Sequence, residues 1–305
     1  KGKIFVLEND KDEKGNIDID DLEWSYLEGD GNFRSEEVTK LRDEADIVIT
    51  NPPYLARNSA KRNNIKFIKS KYDNLYKAAL DKVLKKTDYV AAIIPESFIT
   101  QNLFHNRLHS VISINYKLFD DTNFPVCLAL FVKKTDKDKA MLNDFFIYKN
   151  NDYIDKYSNI LKVEKNHIKK VNSKLKYIEI YKGWDFNNEN GKIGLYAVDN
   201  CFEKSIKFVK SNSMDINLII KDTSRCLTKI SNKNLNYDSL NLDLLIDLFN
   251  KNLETYRNET QDMLMTAFRN LTKDGEYRRR LDYKTAKLIL TISMIELIEN
   301  KKLLI

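Results

Sequence analysis

Apolar and polar positions along the chain sort into short β-like runs early on and longer helical stripes later. Ile47-Val48-Ile49 is β-branched and uninterrupted. Such a run predicts a parallel strand buried on both faces. Residues 3–8, 89–95, 112–119 and 128–133 predict four more strands. Between them, Leu75, Ala79, Leu80, Val83 and Leu84 recur at helical spacing and predict a helix over 71–85. A second helix is expected to end near Glu44, and a short one over 101–110. Residues 55–64 are polar and basic and are expected to form a mobile loop. Strands alternating with helices predict an α/β sheet in the first part of the chain.

Beyond residue 135 the pattern changes. Residues 136–180 are rich in Lys and Asn, which suits a connector with short strands. Residues 184–198 alternate weakly around Asn187-Asn188-Glu189-Asn190-Gly191, which predicts a hairpin. Helices are expected over 203–218, 240–256 and 283–303. In the second of these, Leu242, Leu244, Leu245, Leu248 and Phe249 form a stripe that reads as core. The last is expected to be apolar on one face. The whole reads as an α/β sheet followed by a mixed α+β region.

The prolines add chemistry to this outline. All four, Pro52, Pro53, Pro95 and Pro125, fall at strand ends or turns. A proline cannot donate to a ladder, so Pro52 and Pro53 stop the strand that Ile47 begins. They stiffen the backbone at the carboxyl edge, where open α/β sheets bind ligands. Asn51 precedes them and Tyr54 follows. An Asn side-chain oxygen and a proline carbonyl are both acceptors. Held together they can bind both N–H groups of an aromatic amine and favour a tetrahedral nitrogen with its lone pair free. Tyr54 supplies a flat face for a base, and for that purpose any aromatic ring should serve. At the end of the first strand, Glu8 is placed to take both ribose hydroxyls of a nucleoside cofactor.

Composition excludes some classes and leaves others open. A net charge of +6 permits a nucleic-acid partner without requiring one. Cys127, Cys201 and Cys226 are isolated from one another, and no His/Cys spacing suggests a metal. They read as reduced thiols in a cytoplasmic protein. No apolar run is long enough to span a membrane, and no secretory signal is visible.

Asn51-Pro52-Pro53-Tyr54 resembles the catalytic motif of DNA N6-adenine methyltransferases, which use S-adenosylmethionine. The segment Gly29-Asp30-Gly31-Asn32-Phe33-Arg34-Ser35 resembles the stretch that precedes the catalytic strand in the EcoRI methylase family. The block through residue 135 is similar to the γ-class, or TaqI-like, adenine methyltransferases. Its order is the motif, a Tyr-rich helix entry, a strand ending in Pro, then Thr122-Asn123-Phe124-Pro125-Val126 before a last strand. The resemblance implies a Rossmann-like methyltransferase sheet over 1–135. It implies Asn51, Pro52, Pro53 and Tyr54 as catalytic residues, with Tyr54 and Phe124 stacking on an extruded adenine. Glu8, Asp30, Phe33 and Asn51 would hold the cofactor, Asp30 through its adenine amino group and Phe33 against its ring. No metal is required. None of the eight glycines sits in a strand–Gly-x-Gly–helix context, so the cofactor loop is expected before Lys1 or in an atypical form.

The same resemblance implies double-stranded DNA as partner, with a cognate restriction endonuclease as a further one. Residues 136–175 would connect the catalytic region to a target-recognition domain over 176–305. Basic residues are placed to meet DNA at two points: Arg57, Lys61 and Arg62 beside the motif, and Arg278, Arg279 and Arg280 among Phe268, Tyr277 and Tyr283. Planar guanidinium forks suit phosphates and guanine edges. Two other classes share these features: an RNA or protein methyltransferase with the same tetrapeptide, and a DNA-binding module without catalysis. Binding of S-adenosylmethionine by the full-length protein separates them.

Overall fold

The computed structural model describes residues 4–8, 25–28, 47–64, 70–119, 125–135, 141–200, 205–214, 226–237, 240–271, 275 and 277–300. The chain divides into two compact units. One comprises Lys1–Leu118 and Val126–Tyr157, the other Phe119–Pro125 and Ser158–Ile305.

The first unit is a mixed α/β structure. Among its described residues are the strands β1 (Ile4–Glu8), β2 (Ser25–Glu28), β3 (Ile47–Thr50), β4 (Tyr89–Pro95), β5 (Leu108–Ile114), β6 (Val126–Val132), β7 (Phe146–Lys149) and β8 (Asp152–Lys156). They form one sheet in the order β2-β1-β3-β4-β6-β5-β7-β8. β2, β1, β3 and β4 run parallel. β6 is antiparallel to both its neighbours, β4 and β5. Two helices follow the motif strand, α1 (Arg57–Arg62) and α2 (Leu75–Leu84). α2 lies against β4. It buries Tyr76, Ala79, Leu80, Val83 and Leu84, while β4 buries Val90, Ala92 and Ile94. The helical stripe and the apolar strand therefore meet as their spacings predict.

Burial of β3 differs from the expectation. Val48 and Thr50 are buried, but Ile47 and Ile49 are 37% and 39% exposed. The neighbouring Tyr89, paired with Ile47, is 56% exposed on the same face.

Three further differences have local causes. Residues 57–62 are helical where a loop was expected. The chain there is pinned by Leu75 N–H to Leu55 O at 3.0 Å and by the Ala56–Asn74 bridge, and it buries Ala60. The helix expected over 101–110 is replaced by turns and the start of β5. Val132 donates its N–H to Arg107 O at 2.8 Å, which extends the backbone pairing beside β6. The Arg107 guanidinium then donates to the carbonyls of Leu84, of Thr87 at 2.7 Å and of Asp88 at 3.0 Å. It thereby caps the carboxyl end of α2, where the helix dipole favours a cation. Finally, the short strands expected in the stretch read as a connector, β7 and β8, join the sheet of the first unit, and α3 (Tyr157–Val171), all but its first residue, belongs to the second unit.

His105 is buried in this unit and meets the stacked rings of Phe145 and Tyr157 edge-on, 4.9 and 5.4 Å away. Burial holds its pKa below the ordinary 6.5. The fold therefore favours the neutral ring. The associated stability is present above pH 6.5, the unfolded value, and is lost as pH falls through the depressed folded one. Urea unfolding at about pH 7.5 and 5.5 should show a smaller acid loss in His105→Gln than in the wild type. Equal losses would place the acid sensitivity elsewhere.

The second unit holds α4 (Leu175–Gly183), β9 (Trp184–Phe186), β10 (Ile193–Tyr196), β11 (Lys207–Lys210), β12 (Leu227–Asn232), α5 (Leu242–Thr260), β13 (Thr266–Leu271), β14 (Tyr277–Arg280) and α6 (Tyr283–Glu299). Its sheet order is β11-β10-β12-β9, with β13 and β14 forming a separate pair. The hairpin expected over 184–198 is not a paired hairpin, because β12 inserts between β9 and β10. Gly191 makes that insertion feasible. A Cβ there would lie 2.6 Å from the backbone nitrogen of Ile230. Of the helix expected over 203–218, the described residues 205–214 instead hold β11 and a short 3-10 turn. The Asn250 side chain receives Phe208 N–H at 2.8 Å and donates to Phe208 O at 2.9 Å, acting as the missing neighbour of this edge strand.

α5 and α6 form where the stripes place them. Asn241 caps α5 by accepting Leu244 N–H, and Asp282 caps α6 by accepting Thr285 N–H. α6 is buried over nearly its whole circumference, not on one face as expected. Thr291, fully buried in it, accepts the indole N–H of Trp184 at 3.0 Å. No helix among the described residues is long and apolar enough to cross a membrane.

Candidate active site

β3 delivers Asn51-Pro52-Pro53-Tyr54 to the carboxyl edge of the parallel strands. The ladder to β4 ends at the pair Thr50–Ala92, so Ile93 lies one residue past the last paired position. There Tyr54 takes over. Its hydroxyl oxygen lies 2.7 Å from Ile93 O and 2.6 Å from Asn51 Oδ1. Pro52 is buried, while Asn51, Pro53 and Tyr54 are half-buried. The Tyr54 ring meets Tyr76 edge-on at 6.4 Å, and edge-on contacts continue to Phe98 and Phe131. The motif is thus anchored to the core through a chain of rings. Burial pushes the Tyr76 phenol well above its ordinary pKa, so that ring is a neutral wall beside the site.

Glu8 reaches the same edge. Parallel register pairs Leu7 with Thr50, which puts Glu8 at the level of Asn51 on the adjoining strand. Glu28 pairs with Glu8 on the other side. The sequence reading did not single out Glu28, although a strand ending in an acid is the signal that drew attention to Glu8. Asp30, Phe33 and Phe124 lie outside the described residues.

A second carboxylate at the edge was also missed. Glu96 follows Pro95 and is only 5% exposed, with Ser113 Oγ donating to its Oε1 at 2.7 Å. Burial, with the Glu96 charge added, drives the nearby Cys127 thiol well above its ordinary range, so Cys127 is inert as a nucleophile. An acid directly after an apolar run is the signal that could have found it.

The basic residues separate once placed. The Arg57 guanidinium donates to the carbonyls of Ser70 and Tyr72, so it holds its own loop together. Lys61 and Arg62 stand exposed in the last turn of α1. On β14, Tyr277 and Arg279 are buried at 3% and 5% exposure, while Arg278 and Arg280 are half-buried on the other face. Cross-strand pairs set Phe268 opposite Arg278 and Thr266 opposite Arg280. Tyr283 is stacked on Phe186 at 4.3 Å. Of the three arginines, Arg278 and Arg280 are therefore the ones a partner can reach. Arg257 was not anticipated. It donates two hydrogen bonds to each of Asp199 and Asp262, which raise its pKa further and make it a structural brace. Among the described residues no group of three His, Cys, Asp or Glu is placed to hold a metal.

Residues 2–73 match a family model, that of the adenine-specific methyltransferase EcoRI. The matched stretch contains Glu8, Asp30, Phe33 and Asn51–Tyr54. No curated protein matches the chain. Solved structures with some similarity include the type I restriction-modification methyltransferase subunit from Streptococcus thermophilus, at 12% identity over 54% of this chain and 48% of that one, with a TM-score of 0.31. A putative class I S-adenosylmethionine-dependent methyltransferase from Listeria monocytogenes is 15% identical over 45% of this chain and 55% of that one, with a TM-score of 0.28. The EcoKI M protein of a type I restriction enzyme is 12% identical over 91% of this chain and 52% of that one, with a TM-score of 0.30. The chain spans 23% to 55% of the length of the first four structures it matches. At such identities and TM-scores the functional reading rests on the site and on the family match.

Proposed function

We propose that this chain carries the catalytic region of a DNA N6-adenine methyltransferase of a restriction-modification system, followed by a target-recognition region. One observation carries the reading: Asn51-Pro52-Pro53-Tyr54 stands at the carboxyl edge of a parallel strand with the Asn51 side chain held in place. The family match to residues 2–73 supports it.

The acceptors at this edge fit a nucleoside cofactor. Glu8 would hold ribose hydroxyls, and Asp30 and Phe33 would take the adenine amino group and ring. When bound, S-adenosylmethionine supplies an electrophilic methyl group on a sulfonium. The chain's own residues orient the acceptor. An adenine leaves the duplex at a cost of a few kcal/mol. Stacking on Tyr54 and Phe124 would return about 1–3 kcal/mol per contact. Asn51 Oδ1 and the Pro52 carbonyl accept the two amino N–H groups and aim the nitrogen lone pair. The proton leaves afterwards, when the alkylated amine is acidic, so no general base is needed.

Arg278 and Arg280, with Lys61 and Arg62, are the side chains proposed to meet DNA, and a restriction endonuclease is the proposed companion. Mapping of methylated bases in DNA from cells expressing the full-length protein tests the reading. N6-methyladenine in one sequence context is the expected result. Unmodified DNA alongside methylated RNA or protein would replace it.

A further inference from the structure

We propose that the Tyr54 hydroxyl is a positioning group that fixes which end of the Asn51 carboxamide is left to receive a substrate amine. The identity of the amine rests on the function proposed above; the clamp itself does not. Tyr54 Oη lies 2.6 Å from Asn51 Oδ1 and 2.7 Å from Ile93 O. A phenol carries one proton, and a carbonyl oxygen only accepts. One proton cannot serve two acceptors at these distances. If it goes to Asn51, Tyr54 Oη and Ile93 O are left in contact with no proton between them.

The arrangement that pairs every group is a relay. Tyr54 O–H donates to Ile93 O, and the carboxamide turns so that its NH2 donates to Tyr54 Oη. The oxygen and nitrogen ends of an Asn amide are nearly isosteric, so the hydrogen-bond network decides between them. In this relay Oδ1 is turned away from Tyr54 and keeps both lone pairs. That is the orientation an acceptor of N–H groups requires.

The surroundings hold the relay rigid. Ile93 lies one residue past the last β3–β4 pair, and β6 continues to pair with it on the other side. Its carbonyl is therefore a fixed point of the sheet. The Tyr54 ring is set edge-on against Tyr76, which is 1% exposed and packs on Phe98. Tyr54 thus connects the sheet to the one side chain whose rotation would reverse an acceptor into a donor. An aromatic ring alone, sufficient for stacking, would leave the carboxamide free to turn.

Tyr54→Phe in the full-length protein separates ring from hydroxyl. We expect kcat for methyl transfer to fall about ten- to a hundredfold, as misorientation of a reacting group does. KM for DNA and the flipping signal of 2-aminopurine at the target should stay within about twofold. In the Asn51→Ala background the same change should cost nothing further, because the two residues act as a unit. A readout independent of activity is the pair of Asn51 side-chain NH2 resonances, identified by their absence in Asn51→Ala. Tyr54→Phe should shift them. Unmoved resonances, or an unchanged kcat, overturn the clamp and leave the methyltransferase reading standing. Shifted resonances in a protein that methylates no DNA retain the clamp and remove that reading.

Discussion

Asn51→Ala is expected to abolish methyl transfer, by about a thousandfold or more, the scale set by removing one preorganised hydrogen-bonding group from a reacting centre. Fold and DNA affinity should remain nearly intact. Asn51 is half-buried and directly follows β3, outside any strand or helix, so truncating it opens no core cavity. Its loss still leaves the Tyr54 hydroxyl 2.7 Å from Ile93 O, which keeps that oxygen partnered. The stability cost is then that of one hydrogen bond, about 1 kcal/mol. Single-turnover transfer of a labelled methyl group, with a thermal melt on the same sample, checks both halves. A loss under about tenfold with normal folding would show that Asn51 is not the acceptor that orients the amine.

The strand and its tetrapeptide were legible because their signals are local. A β-branched run followed by two prolines constrains the backbone whatever surrounds it, and the structure places Asn51–Tyr54 at a strand end as that run implies. α2 and α5 were legible for a similar reason, since their stripes extend over ten residues or more, and α6 as a long apolar run, although its all-round burial was not. β11 was not, because the alternation of Lys207–Lys210 is too short to outweigh a helical reading. Its free edge is met by Asn250, more than forty residues away. The tasks of Arg57 and Arg107 were hidden too. Each guanidinium is consumed by backbone carbonyls, and every residue type supplies those. Composition marks a cation; only the tertiary fold says whether its donors are already taken. The hydroxyl of Tyr54 is a case of the same kind. The sequence reading valued its ring, whereas one of its oxygen's two neighbours comes from a strand about forty residues further on.

The three consecutive arginines of β14 should behave as two kinds of residue. Neighbours on a strand point to opposite faces. Arg279 and Tyr277 therefore share the buried face, and Arg278 and Arg280 share the other. Arg279→Ala removes a long buried stem from a packed site and should destabilise the second unit by about 2–4 kcal/mol. Its backbone carbonyl accepts Asp199 N–H at 3.0 Å and would continue to do so, which limits the damage to the side chain. Arg278→Ala and Arg280→Ala should leave stability within about 0.5 kcal/mol. On DNA their effects divide again. A phosphate contact, when lost, weakens binding to all sequences and lowers the salt slope by about one unit. A base contact costs about 1–3 kcal/mol on the cognate site and relaxes one position of the recognition sequence. Titrations across salt on cognate and scrambled duplexes, paired with urea unfolding of each variant, resolve all of these. An Arg279→Ala protein of full stability would contradict the buried placement. If Arg278→Ala and Arg280→Ala leave affinity, slope and specificity unchanged, β14 does not meet DNA, and Lys61 and Arg62 become the residues to test.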